Sequence, residues 1–149
     1  MTDDALIARL AGIDLFDGLS DRVLRRIAGE GKNVTFAAGT VVTEEGASVS
    51  GWAPFSPDGV CFYVIQDGTA DVAVHGEYRA TLAAGSYFGE TSLVDREPRS
   101  ATVTAGPDGM TAFAVTAWAF APILEENPSV AMALLKVITR RLRAAEARR

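Results

Sequence analysis

Histidine and cysteine are almost missing from this chain: His75 and Cys61 are the only residues of their kinds. A lone cysteine excludes an intrachain disulfide, and nothing accompanies it at metal-ligand spacing. A cupin-type metal centre needs several histidines and is excluded as well. His75 falls just before Gly76 at a strand end, the place of a solvent-facing turn residue rather than of a catalytic base. No Walker loop and no paired catalytic acids appear. A protein without catalytic residues, metal or other cofactor is expected.

Long hydrophobic runs are lacking too. No stretch approaches the ~20 apolar residues of a membrane span. The opening MTDDALIARLAG is acidic and has neither the basic start nor the apolar run of a secretory signal. A cytoplasmic location without a membrane span is expected, in keeping with the lone thiol. Positive charge is in deficit: 14 Lys and Arg against 19 Asp and Glu give a net charge of −5. There is no global field to draw in nucleic acid, so an anionic ligand has to be captured by a local cluster.

What the chain does have suits one compact domain over residues 1–149, with 48% hydrophobic and 22% charged residues. Residues 1–31 are helical in pattern. Leu6, Ile7 and Leu10 recur at helical spacing, and the chain breaks at Asp17-Gly18. It restarts from Ser20, an N-cap, into a helix with Val23, Leu24 and Ile27 on one face that stops at Gly29 or Gly31.

Residues 32–116 change period. NVTFAAG, TVVTEEG, VCFYVIQDG, TADVAVHG, EYRATLAAG, SATVTA and MTAFAV read as short strands of an antiparallel sandwich or roll. Gly39, Gly46, Gly68, Gly76 and Gly85 stand where the turns are expected. The stretch ASVSGWAPFSPDG reads as an extended surface loop, with Trp52 and Phe55 either tucked against the barrel or meeting a partner. Residues 117–149 return to helix, a short one in TAWAFAPILEEN and a long one from Pro128. The long helix carries an apolar stripe of Val130, Leu134, Val137, Ile138 and Leu142. Its C-terminal half is basic (Lys136, Arg140, Arg141, Arg143, Arg148 and Arg149), which suits the negative end of a helix dipole.

The stretch most loaded with chemistry is GSYFGETSLVDREPRSATV, residues 85–103. If a short helix starts near Gly89, its first N–H groups lack helical partners and form an anion site that glycine lets a ligand approach closely. Glu90 can accept from a vicinal hydroxyl but repels phosphate. Arg99 can return to the same cavity and pair with a phosphate oxygen, with Ser100 and Thr102 adding hydroxyls. An acid for a sugar hydroxyl beside an arginine for phosphate spells a sugar phosphate or nucleotide. Each half alone also fits a plain helix cap and a solvated surface arginine; the combination points to the ligand.

Taken together, GSYFGETSLVDREPRSATV resembles the phosphate-binding cassette of the cyclic nucleotide-binding domain family: FGE, a short helix, PR with a small residue, then ATV. LFDGLSDRVLRRIA is similar to that family's N-terminal helical bundle, FYVIQDGTADV to its central hairpin, and TRRLRAAEARR falls at its C-terminal lid helix. The resemblance implies an α+β fold, an antiparallel, jelly-roll-like β-roll with an N-terminal helical bundle, a short cassette helix and a long C-terminal helix.

It also implies roles. Glu90 would accept from the ribose 2′-hydroxyl, and Arg99 would pair with the cyclic phosphate, helped by N–H groups around Gly89, Glu90 and Ser100. Phe88 and Leu93 would anchor the cassette helix, with Phe88, Thr91 and Ala101 counted among the ligand-binding positions. Val72 and Val74 would line the base pocket, and Arg141 would cover the purine. Arg96, the competitor for Arg99, lies outside the PR-small-ATV match. The pattern departs from the family in the inserted Trp52 loop and in Thr91-Ser92 after FGE.

The ligand expected is cyclic AMP, with cyclic GMP also binding, and the role is that of a sensor coupling the ligand to its C-terminal helix. The alternative is a degenerate relative that keeps the fold and binds proteins without nucleotide. A protein partner or homodimer is expected in either case. A transcription factor of the catabolite-activator type carries a helix-turn-helix after the long helix; here the sequence stops at Arg149, and no nucleic-acid partner is expected.

Overall fold

Consecutive residues of a strand face opposite ways, so a strand buried on both faces reads as an unbroken apolar run. FYVI at residues 62–65 is such a run. Phe62 and Val64 join one buried cluster with the helices, whereas Tyr63 and Ile65 join a second cluster inside the roll. Phe113 and Val115 alternate with Ala112 and Ala114 in the same way across the neighbouring strand. The computed structural model describes residues 3–46, 61–89 and 100–147. The stretch expected to hold the cassette helix, with Glu90, Thr91, Leu93, Arg96 and Arg99, and the expected loop with Trp52 and Phe55 lie outside the described residues, as does Arg148.

The order of elements is α1 (Asp3–Ala11), a 3-10 turn (Asp14–Phe16), α2 (Asp21–Glu30), then β1 (Lys32–Phe36), β2 (Val41–Thr43), β3 (Cys61–Val74), β4 (Glu77–Leu82), β5 (Tyr87–Phe88), β6 (Thr102–Thr116), α3 (Ala117–Glu126) and α4 (Pro128–Ala147). All described strands belong to one antiparallel sheet in the order β1-β6-β3-β4, with β2 also on β6 and β5 also on β3. The α+β, β-roll expectation holds.

The described helices form where the sequence predicts them. Ser20 caps α2, its Oγ accepting from Val23 N–H, and Thr116 caps α3 by accepting from Ala119 N–H. Each cap satisfies an N–H that the helix itself cannot. Arg25 is hydrogen-bonded to Asp21 and lies 3.6 Å from Asp4, joining α2 to α1. The Asp21 hydrogen bond is the main reason its pKa stands above the ordinary guanidinium value. Arg26 pairs with Glu126 and links α2 to α3. Phe16 is the hub of this layer, meeting Phe62 at 5.8 Å and Phe120 at 6.1 Å, both edge-on.

The strands are longer than the glycine punctuation suggests. Gly68 is read from sequence as a turn between two strands, but it lies inside the continuous β3, where the register against β6 shifts between Gly68 and Ala70. SATVTA and MTAFAV likewise fuse into β6. Gly39, Gly46, Gly76 and Gly85 do occupy turns or their flanks. The physical reason is that a left-handed glycine serves a bulge as well as a hairpin.

Gly68 has φ +81°, and an added Cβ would fall on the carbonyl oxygen of Gly109, with the Met110 Cα also in contact. Both obstacles are backbone and cannot swing away. Gly68→Ala is expected to cost about 2–4 kcal/mol and lower the melting temperature by roughly 5–15 °C. A thermal melt within 2 °C of wild type, on the order of one half-kcal/mol, would contradict this packing.

Candidate functional site

Interior packing of the roll defines where a ligand can meet the chain. The inner cluster holds Val42, Tyr63, Ile65, Ala70, Phe88 and Val103, with Val72 and Leu82 packed against it. Phe88 is buried and stacks on the Tyr63 ring, 4.9 Å between centroids at 18°. Gly89 follows at φ +88°, a left-handed conformation that favours glycine and turns the chain out of β5. The described chain resumes at Ser100, which is exposed, and Ala101, which is half-buried. Val103 then pairs with Val72, and Thr102 with Ala73.

Strand pairing brings Ala101 beside the Val72–Ala73 part of β3, whereas Phe88 pairs with Tyr63, earlier on the same strand, and shares only the inner cluster with Val72. Val72 comes from β3, Phe88 from the end of β5 and Ala101 from just before β6. Val74, half-buried, lies two residues beyond Val72 at the end of β3, opposite Glu77 of β4.

Polar contacts fix the mouth of this region. Thr43 Oγ1 donates to the Ala101 carbonyl at 3.2 Å, and the Glu45 N–H donates to Thr102 Oγ1 at 3.0 Å. The Glu45 carboxylate in turn accepts from the His75 N–H at 2.7 Å and lies 3.1 Å from His75 Nδ1. His75 is exposed and left-handed, with φ +53°. It is a turn residue, clamped by Glu45. The segment that leads out of the cassette stretch is thus tied to β2, which is tied to the β3–β4 turn. Among the described residues no group of three or more potential metal ligands is found.

Arg141 is not brought to this group. It lies on α4, where its Nη2 donates to Tyr87 Oη at 2.6 Å and its guanidinium carbon sits 5.3 Å from the Tyr87 ring centroid. Tyr87 belongs to the helical side of the sheet, its ring 5.7 Å from Phe62. Tyr87 itself was not singled out in the sequence. The available signal was the pair Tyr87-Phe88, two aromatics that must face opposite ways in a strand.

The sequence model of the cyclic nucleotide-binding domain matches residues 56–127, from before β3 to the end of α3, and so spans the region just described. Over that span the chain is similar to the cyclic nucleotide-binding domain family. The cAMP-dependent protein kinase regulatory subunit of Debaryomyces hansenii is 40% identical over 71 residues, 47% of this chain and 16% of that protein. The cGMP-dependent protein kinase of Toxoplasma gondii is 31% identical over 96 residues, 64% of this chain and 9% of that protein. The chain thus spans only a small part of the length of these relatives. The crystal structure of the N-terminal domain of a transcriptional regulator from Streptomyces coelicolor A3(2) superposes with a TM-score of 0.72 at 29% identity, covering 92% of this chain and 94% of that one. Among the described residues no helix is long and apolar enough to cross a membrane.

Proposed function

We propose that this cyclic nucleotide-binding domain binds a cyclic nucleotide, cyclic AMP or cyclic GMP, and acts as a non-catalytic regulatory module. The observation that carries the reading is the geometry of the cassette ends. The chain leaves β5 at a left-handed Gly89 beside buried Phe88 and returns at Ser100, two residues before Thr102 pairs with Ala73, with Glu90 and Arg99 in the ten residues between. Arg99 neutralises the phosphate, N–H groups at Gly89, Glu90 and Ser100 add hydrogen bonds, and Glu90 takes the ribose hydroxyl. Thr91 and Ala101 flank these contacts, and Val72 and Val74 offer apolar surface to the base. For Arg141 to cover the purine it has to exchange Tyr87 for the base. Such an exchange is one way for binding to move the C-terminal helix, because a ligand shifts an equilibrium only through contacts that differ between its two states.

A second reading, a nucleotide-independent module for protein contacts, draws on α4. Met132, Leu135, Ile138 and Leu142 are exposed there, four large apolar side chains on one helix. They suit a protein partner or a second copy of the chain, and they fit the first reading as well.

A thermal-shift titration separates the two. Ligand at about 100 times its dissociation constant stabilises a folded state that alone binds it by about 2.7 kcal/mol. In a chain of this size that raises the melting temperature by roughly 5–10 °C. No shift with millimolar cyclic AMP or cyclic GMP would favour the nucleotide-independent module.

A further inference from the structure

Tyr87 and Phe88 leave β5 on opposite faces of the sheet. Phe88 enters the roll and stacks on Tyr63, and the next residue is Gly89 of the anion loop. Tyr87 enters the helical layer. There its hydroxyl donates to Asp14 Oδ1 at 2.5 Å and accepts from Arg141 Nη2 at 2.6 Å. One hydroxyl therefore joins the 3-10 turn, β5 and α4, elements far apart in the chain.

The β5 backbone is held in the ladder over a short span, and just before it the Ile65 N–H donates to the Ser86 carbonyl and the Gly85 N–H to the Ile65 carbonyl. It pairs with β3 at two positions, Tyr63 with Phe88 and Val64 with Tyr87. Beyond these backbone bonds, a shift of β5 is limited by its side chains. Phe88 is buried against the apolar interior. Tyr87 is half-buried, sits between a carboxylate and a guanidinium, and has that guanidinium 5.3 Å from the centre of its ring. Hydrogen bonds to charged groups are stronger and more directional than neutral ones, so displacement of β5 is felt at Asp14 and Arg141 together.

We infer that Tyr87 is a positioning residue that transmits occupancy of the anion loop to α4 through the Asp14–Tyr87–Arg141 relay. The inference rests on the ligand reading above and names the path by which the same site is coupled to the helix. A phosphate seated on the N–H groups at Gly89 acts on β5. Because β5 carries Tyr87, the shift reaches the guanidinium on α4 without any contact between nucleotide and helix. Coupling of this kind is reciprocal: the hold of α4 on Tyr87 fixes the position from which Gly89 meets the ligand.

Hydrogen exchange on the whole chain, resolved to peptides, tests this with Tyr87→Phe, which keeps the ring and removes only the hydroxyl. Saturating cyclic AMP or cyclic GMP is expected to change exchange over residues 134–147 in wild type. In Tyr87→Phe the nucleotide still binds, but that change shrinks by about fivefold or more. An α4 response equal to wild type would overturn the relay and assign the signal to direct contact between nucleotide and helix.

The second arm uses no nucleotide. Tyr87→Phe and Arg141→Met are each expected to speed exchange over residues 85–89 by roughly three- to tenfold, the loss of a hydrogen bond that holds β5. Lys136→Met, a cation on the same helix outside the relay, leaves exchange there unchanged. If wild type shows no exchange change anywhere with either nucleotide, the ligand reading has failed and the transmission with it; if it responds, unchanged exchange over residues 85–89 in both variants overturns the relay.

Discussion

Replacing Arg99 with alanine is expected to weaken cyclic nucleotide binding by about 30- to several-thousand-fold. A phosphate drawn out of water is held chiefly by the guanidinium that meets it. Removing one partner of a desolvated charge pair costs roughly 2–5 kcal/mol, because the other charge is left without compensation. The overall charge of −5 makes the loss worse, since the rest of the chain offers the anion no general attraction. Glu90→Ala removes a charged hydrogen bond to a neutral hydroxyl, worth about 1.5–3 kcal/mol, and is expected to cost less. Arg96→Ala is the internal control and is expected to leave affinity nearly unchanged. The three dissociation constants, measured under one salt condition, check the order; a larger loss from Arg96→Ala than from Arg99→Ala would reassign the phosphate to Arg96.

Phe16→Ala is expected to be the most damaging of the stability variants. The ring is buried and touches Phe62 of β3 and Phe120 of α3, so it joins the N-terminal helices, the sheet and the C-terminal helices at one point. Truncating a buried phenylalanine costs about 3–5 kcal/mol through lost transfer energy and the cavity left behind. Three packed elements cannot all collapse into that cavity. The melting temperature is expected to fall by roughly 6–20 °C, whereas exposed Met132→Ala changes stability by no more than about 0.5 kcal/mol. Calorimetric melts of both variants check this. Equal melting temperatures would mean that the helical layer is not anchored through Phe16.

Signals that act within a few residues were legible in the sequence. The Ser20 cap, the apolar face of α2 and the glycine turn at Gly76 each rest on a physical requirement that neighbours alone satisfy. Gly68 was misread because a positive φ is common to turns and bulges. Only the pairing of β3 along both Ile65 and Ala70 with β6 distinguishes them. Phe88 and Val72 were named through the resemblance alone, and both pack in or against the inner cluster of the roll.

Arg141 was legible as a cation at helical spacing, but its contact with Tyr87 was not. Asp14, Tyr87 and Arg141 are separated by 73 and 54 residues, and no local pattern links them. The relay exists only because β5 lies between the 3-10 turn and α4. Cassette residues Glu90 and Arg99 were identified by their chemical types and by resemblance, and it is their variants that weigh those assignments.

The most direct measurement of the central claim is a calorimetric titration of the wild-type chain with cyclic AMP, repeated with cyclic GMP. Saturable binding of one nucleotide per chain is expected for at least one of the two, lost or strongly weakened in Arg99→Ala. No saturable heat with either nucleotide, from a chain that melts cooperatively, would contradict it and leave a cyclic nucleotide-binding fold that works through protein contacts alone.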